Sequence, residues 1–157
     1  MAYTFGMKVR ETIDIEARCE DVWPLVADPA RMAEWHVRLV KVERSANGPV
    51  RFGDRFGSHF QLSGKVTAVR SEVIRCQPPV ALTLRHSFEV EGRERYGEDS
   101  YDLEPHGAGT QVVQTADFRG AGLPWWARTL MWVITRTGRT VGEGILEPLK
   151  RACEAGR

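Results

Sequence analysis

The sequence predicts an α+β domain: a curved, seven-stranded antiparallel sheet, two short helices after the first strand, and a long C-terminal helix over a cavity. Three observations carry this expectation. Residues 8–15 alternate polar and apolar with period two; from Leu39 to Phe118 short apolar runs are punctuated by Gly, Pro and Asn; and from Pro124 onward the apolar positions change to helical spacing.

Val9, Glu11, Ile13 and Ile15 alternate with Lys8, Arg10, Thr12 and Asp14, the period of a strand with one buried face. From Cys19, Val22, Trp23, Leu25 and Val26 recur at helical spacing, Glu20 and Asp21 sit at the positive end, and Pro24 falls early enough to be tolerated in the first turn. Asp28-Pro29 ends that helix and caps a second, carrying Met32, Ala33, Trp35 and His36. Leu39 to Ser45, the Asn47-Gly48-Pro49 turn and Val50 to Phe60 read as a hairpin with bends. Its Phe52, Phe56 and Phe60 form an aromatic face interrupted by Gly53 and Gly57.

Lys65 to Cys76, Ala81 to Val90, Arg95 to Glu104 and Thr110 to Phe118 are the remaining strands. Links as short as Gln77-Pro78-Pro79 and Glu91-Gly92 make neighbours antiparallel, because a parallel return needs a crossover of about a dozen residues. Val66, Val69, Val73 and Ile74 share no strict alternation, so a bulge is expected in their strand.

In the tail, Trp126, Leu130, Val133, Thr137, Val141, Ile145, Leu149 and Ala152 form an i, i+3/i+4 stripe from Pro124 to about Ala155. Roughly thirty residues at ~1.5 Å each give a helix of about 45 Å, enough to cross a sheet. Gly138, Gly142 and Gly144 each weaken it by about 1 kcal/mol relative to Ala, and Pro148 removes a hydrogen bond to the Gly144 carbonyl. A kink near Gly144 follows, serving either as a hinge that admits a ligand or as a close-packing point.

Size and composition narrow the function. The 157 residues suit one domain spanning 1–157. Twenty-two basic and twenty-one acidic residues without a basic block argue against a nucleic-acid partner. Cys19, Cys76 and Cys153 have neither disulfide-framework nor zinc spacing, which points to a reducing cytoplasm. No apolar run reaches the ~20 residues that span a bilayer, and no signal-peptide pattern is visible. His36, His59, His86 and His106 lack metal-ligand spacing, Gly120-x-Gly122 lacks the context of a phosphate loop, and no Ser or Cys sits in a nucleophile elbow. Neither metal nor cofactor is expected.

The order of elements, with Ile13-x-Ile15-x-Ala17, Glu20-Asp21-Val22-Trp23-Pro24-Leu25-Val26-x-Asp28, Trp35, Gly53-Asp54-Arg55-Phe56, Leu103-Glu104-Pro105 and Gly109-Thr110, resembles the START-related helix-grip (SRPBCC) superfamily. That superfamily includes the major birch-pollen allergen and the polyketide cyclase/dehydrase-like proteins, and the similarity runs end to end. The resemblance implies a cavity used for lipids, sterols, polyketides or other apolar molecules. Physical reasoning reaches the cavity separately: a strongly curved sheet does not lie flush against a straight helix, so side chains or a guest must fill the gap.

Parity assigns Leu82, Leu84, His86 and Phe88, then Asp99, Tyr101 and Leu103, then Val112, Gln114, Ala116 and Phe118 to the inner face. Candidate ligand-lining residues there are Leu84, His86, Phe88, Tyr101 and Gln114, joined by Trp35, Phe56 and Phe60, and by Trp126, Leu130, Ile134 and Val141 of the last helix. Glu11, His86, Asp99 and Tyr101 are the candidate acid–base groups. The plainer alternative pairs Glu11 with a neighbouring arginine and leaves His86 and Tyr101 as satisfied wall groups.

Trp35, with Trp125, Trp126 and Trp132, either closes the cavity mouth or simply packs. The apolar run from Leu123 to Ile134 suits transient membrane contact, a dimer interface or a buried turn, which leaves monomer and homodimer both open. The leading functional expectation is a binding or carrier protein for a small hydrophobic molecule. A polyketide cyclase, aromatase or dehydratase-like enzyme is the first alternative. A regulatory interaction module, as in the co-chaperone branch that resembles this fold, is the second.

Overall fold

The computed structural model describes residues 8–62, 64–124, 127, 129 and 144–155. Strand β1 (Lys8–Ile15) leads into α1 (Cys19–Ala27) and α2 (Pro29–Trp35), then β2 (Leu39–Glu43), β3 (Arg55–Leu62), β4 (Lys65–Gln77), β5 (Ala81–Val90), β6 (Arg93–His106) and β7 (Gly109–Asp117). A 3-10 turn at Arg119–Ala121 follows, and α3 (Glu147–Glu154) closes the described chain. One curved antiparallel sheet runs in the order β1-β7-β6-β5-β4-β3-β2. The meander from β2 to β7 follows from the short turns, and β1 completes the sheet by pairing with β7, Ile13 opposite Val112.

The inner face is apolar for the reason its spacing anticipates. Ile15, Val73, Leu82, Leu103 and Val112 project to one side and are buried beneath α1, α2 and α3, together with Val22 and Val26 of α1 and Leu149 of α3. In α2 the Asp28 carboxylate accepts the Ala30 amide at 3.1 Å with Pro29 opening the helix, the cap that Asp28-Pro29 announces. In β4 the register shifts between Val73 and Arg75, which is the expected bulge. Val69, Ser71 and Val73 face inward and Val66 outward by plain alternation before it, and the bulge turns Cys76, opposite Leu82, back against the core.

Three expectations need correction. Pro24 lies in the second turn of α1 rather than the first. The strand expected from Val50 begins only at Arg55: Gly53 has a positive φ of 85°, and the Asp54 carboxylate accepts the Arg51 amide at 3.0 Å, so residues 50–54 turn instead of extending. Phe52 is consequently 73% exposed and leaves the aromatic face to Phe56 and Phe60.

The third correction concerns the last helix. It is not continuous to Ala155: Gly144, Ile145 and Leu146 are non-helical, and α3 starts afresh at Glu147 with Pro148 in its first turn. Its eight residues make about 12 Å at ~1.5 Å per residue. The break is held from across the fold. Glu11 accepts the amides of Ile145 (Oε2, 2.8 Å) and Leu146 (Oε1, 3.1 Å), which a continuous helix would spend on its own carbonyls. A β-carbon at Gly144 would overlap the Glu11 carboxylate. Lys150 donates to the Asp14 carbonyl at 2.8 Å and the Glu16 amide to Glu154 at 3.1 Å, so β1 grips α3 along its length. Earlier in the expected span Ala127 and Thr129 are helical, and the rest between Pro124 and Gly144, including Gly138 and Gly142, lies outside the described residues.

Candidate functional site

A polar belt crosses the inner face diagonally, one residue per strand. Ser58 on β3 meets Ser71 on β4 (Oγ to Oγ, 3.0 Å), Ser71 meets His86 Nδ1 on β5 at 2.8 Å, His86 Nε2 lies 3.4 Å from Asp99 Oδ2 on β6, and Gln114 Nε2 on β7 donates to Asp99 Oδ1 at 2.9 Å. Pairing brings this about: Ser71 sits directly opposite His86, whereas Asp99 and Gln114 are diagonal neighbours on the next two strands. Ser58, Ser71 and Gln114 are buried, while His86 and Asp99 keep 13% and 20% of their side chains accessible.

The charge on Asp99 sets the direction of the chain. Burial pushes its carboxyl up, but the His86 hydrogen bond, the charges of His86 and His36, and the Gln114 hydrogen bond outweigh burial, leaving its pKa below the ordinary aspartate value. Ionised Asp99 only accepts, so the neutral form of His86 is the one with its proton on Nε2 and Nδ1 as an acceptor. Ser71 therefore donates to His86, and Ser58 to Ser71. Both ring nitrogens of His86 are committed to protein partners.

Above the belt lies an aromatic layer. Trp35 stacks edge-on to Tyr101 with centroids 6.2 Å apart and lies 5.5 Å from the His36 ring, while Phe60 separates His36 (5.7 Å) from His86 (5.0 Å). Trp35 is held by its indole N–H, which donates to the Leu25 carbonyl at 2.8 Å. Burial pushes the Tyr101 phenol well above its ordinary value, and the negative charges of Asp99 and Glu11 add to this, so it stays protonated. His36 Nδ1 accepts the Arg38 amide at 3.3 Å, which places the proton of its neutral form on Nε2.

His36 makes stability depend on pH. Burial holds its imidazole below the ordinary value of 6.5, with Asp99 opposing and His86 and Arg38 assisting. The unfolded chain then binds a proton as pH falls through about 6.5 while the folded chain does not, so stability is full above that pH and declines below it. Urea unfolding between pH 7.5 and 5.5 is expected to show a loss of up to about 1.4 kcal/mol per pH unit, shallower in His36→Phe. An identical slope in both proteins would assign the effect elsewhere.

His86, Asp99, Tyr101, Gln114, Phe60 and Trp35 are brought together as their spacing anticipates, and Phe56 and Leu84 share their face. Phe88 lies on that face but half-buried, towards the β5–β6 turn. Among the described residues Glu11 meets neither an arginine nor this cluster's hydrogen bonds; its carboxylate serves the break before α3. Trp126, Leu130, Ile134 and Val141, like Trp125 and Trp132, lie outside the described residues. Ser58, Ser71 and His36 were missed. The two serines share the parity of Phe56, Phe60, Val69 and Val73 and were legible there, but His36, one residue beyond a seven-residue helix, carries no periodic signal.

A separate recess of about 560 Å³ is lined by Glu43, His59, Arg70 and Glu94 among others, side chains of the opposite parity. It is open and polar, with Arg70 paired to Glu94 at 2.6 Å, and shares no wall with the belt beyond Ser58. Among the described residues no His, Cys, Asp and Glu cluster could hold a metal ion, and no helix is long and apolar enough to cross a membrane.

The sequence profile described as polyketide cyclase / dehydrase and lipid transport matches residues 7–154. The chain belongs to this family. Structures of the same fold include protein CV1439 from Chromobacterium violaceum, with TM-score 0.66 and 19% identity over 94% of this chain and 96% of that one. Protein Ms6760 from Mycobacterium smegmatis superposes with TM-score 0.68 and 16% identity over 97% and 94%. DynU16, from the dynemicin biosynthetic locus, matches with TM-score 0.60 and 22% identity over 96% of this chain but 48% of its own. No curated protein matches the chain. Family membership accounts for the seven-stranded sheet and terminal helix.

Proposed function

We propose that this family member binds a small, largely apolar molecule on the inner face, as a binding or carrier protein, and orients it by the polar groups set into that face. The observation that carries this reading is the belt itself. A buried polar chain adds little stability over apolar side chains of the same volume. Five linked polar side chains across an otherwise apolar surface are the usual furnishing of a small-molecule site, with few polar groups on apolar walls. Apolar burial supplies the affinity at roughly 25 cal/mol per Å².

The three cysteines are free, and burial pushes the Cys153 thiol up to about 11, so it stays an unreactive thiol in keeping with a reducing, cytoplasmic setting. Native mass spectrometry of protein purified from its own host is expected to reveal a co-purifying apolar molecule. A bare protein mass, together with no uptake of an apolar fluorescent probe, would reject the proposal.

One observation favours a second reading, a cyclase or dehydratase-like enzyme. Ionised Asp99 behind His86 Nε2 resembles the backing of a general base, and Ser71, which donates to Nδ1, is the group through which a proton would reach it. Turnover of a reactive polyketide mimic that is unaffected by substituting His86, Asp99 and Tyr101 singly would remove this alternative.

A further inference from the structure

Seven large apolar side chains are exposed among the described residues, and three of them, Val37 (65%), Val40 (54%) and Val66 (58%), gather at one end of the sheet. Two neighbouring turns bring them there. In the first, the Leu39 amide donates to the His36 carbonyl at 3.0 Å, so His36 and Leu39 stay buried while Val37 and Arg38 between them face solvent. In the second, Gly64 at a φ of 77° closes the β3–β4 hairpin, with Lys65 opposite Leu62. The Gln61 amide donates to the Arg38 carbonyl at 2.8 Å and Gln61 pairs with Val66, which sets the two turns side by side. Val40 lies at the register shift of β2, on the other flank of β3. Charge at this tip has one sign: residues 37–42 and 61–68 carry Arg38, Lys41 and Lys65 and no acid. Lys41 reaches back to Glu43 at 2.9 Å, while Arg38 and Lys65 are exposed. The arginines along β3, β4 and β5 differ, each meeting a carboxylate: Arg55 with Glu72, Arg70 with Glu94, Arg75 with Asp102 and Arg85 with Glu98.

We infer that this tip docks on an anionic phospholipid surface, with Val37, Val40 and Val66 entering the headgroup boundary and Arg38, Lys41 and Lys65 lying against the lipid phosphates. Interfacial binding draws on two terms, buried apolar area and attraction to anionic lipid, and the tip supplies both in one place. An apolar patch rimmed by charge marks a contact surface, whereas the same valines scattered singly would carry no such meaning. Position favours a bilayer over a soluble partner. The inner side of the tip is the aromatic layer of the site: His36 opens the first turn, its ring lies 5.7 Å from Phe60, and Phe60 pairs with Leu39. A docked chain sets that end of the inner face against the membrane, where apolar molecules reside. Docking itself needs no guest; the transfer it would serve rests on the binding proposal.

Co-sedimentation tests it, with vesicles of phosphatidylcholine alone and of phosphatidylcholine with about a third phosphatidylglycerol, at about 0.1 M salt. The wild type is expected to bind the anionic vesicles at least about tenfold more tightly than the neutral ones, and to leave them at about 1 M salt. Arg38→Gln/Lys65→Gln is expected to weaken partitioning about thirtyfold, roughly fivefold for each cation removed. Val37→Ser/Val40→Ser/Val66→Ser should weaken it at least about fivefold through lost apolar area. Phe52→Ser, an exposed apolar site beside Val73 at the far end of β4, should leave it unchanged. All three variants are expected to melt with the wild type, because each side chain is exposed. The inference is refuted if neither vesicle binds, if both bind alike whatever the salt, or if partitioning survives both sets of substitutions and so belongs to another surface. Uptake of an apolar fluorescent probe from solution without vesicle binding refutes docking alone, whereas vesicle binding by a chain that never takes up the probe leaves docking standing and removes the binding proposal.

Discussion

Asp99→Ala is expected to lower the unfolding free energy by about 3 kcal/mol, because it strands two buried donors at once. The His86 Nε2–H and the Gln114 amide both end on this carboxylate, at 3.4 and 2.9 Å, and no other described group accepts from either. For a domain of this size the loss corresponds to a fall in melting temperature of roughly 9 °C. Asp99→Asn is gentler, about 1 kcal/mol, since one oxygen survives, but its new amide faces a donor and drives His86 to the other tautomer.

Long-range proton–nitrogen spectra are expected to show wild-type His86 protonated at Nε2, and the variant protonated at Nδ1 with the serine chain reversed. Ligand affinity should fall in Asp99→Ala beyond what instability explains. A variant as stable as the wild type would mean that the belt is solvated and the buried chain is misread.

Glu11→Ala is expected to cost a similar amount, about 3 kcal/mol, by a different route. Both carboxylate oxygens accept backbone amides where the chain turns into α3, and no other described group accepts from those amides. Glu11→Gln keeps one accepting oxygen and is expected to lose about half as much. Hydrogen exchange would localise the effect: the amides of Ile145 and Leu146 and the start of α3 lose protection, while β4 to β6 keep theirs. Uniform loss across the sheet would show that Glu11 supports the whole core rather than this junction. Gly144→Ala tests the same contact from the other side, because the added methyl meets the carboxylate.

These two residues mark how far local pattern carries. Both were singled out by alternation as polar positions on an apolar face, and both lie on that face. Their roles came apart only through pairing. Asp99 reaches His86 and Gln114 because the strands of the meander align it diagonally with each. Glu11 reaches residues 145 and 146 because β1, first in the chain, pairs with β7, and α3 packs against β1. A carboxylate on alternating spacing reads the same in either case.

His36 shows the opposite limit. It follows a seven-residue helix in a segment too short for periodicity, yet it stands beside Phe60 and within reach of Asp99 through contacts to strands far along the chain. Phe52 shows a third: an aromatic residue in phase with Phe56 and Phe60, it is turned to solvent because Gly53 and Asp54 bend the backbone before the strand begins.

The sequence alone determined the seven strands, the two helices after the first, the bulge in β4 and the inward parity of the site, since period-two and period-3.6 patterns are local consequences of backbone geometry. Tertiary structure decided where the last helix breaks and which nitrogen of His86 bears its proton. Each of these turns on hydrogen bonds between residues brought together by the sheet, at distances no spacing along the chain encodes.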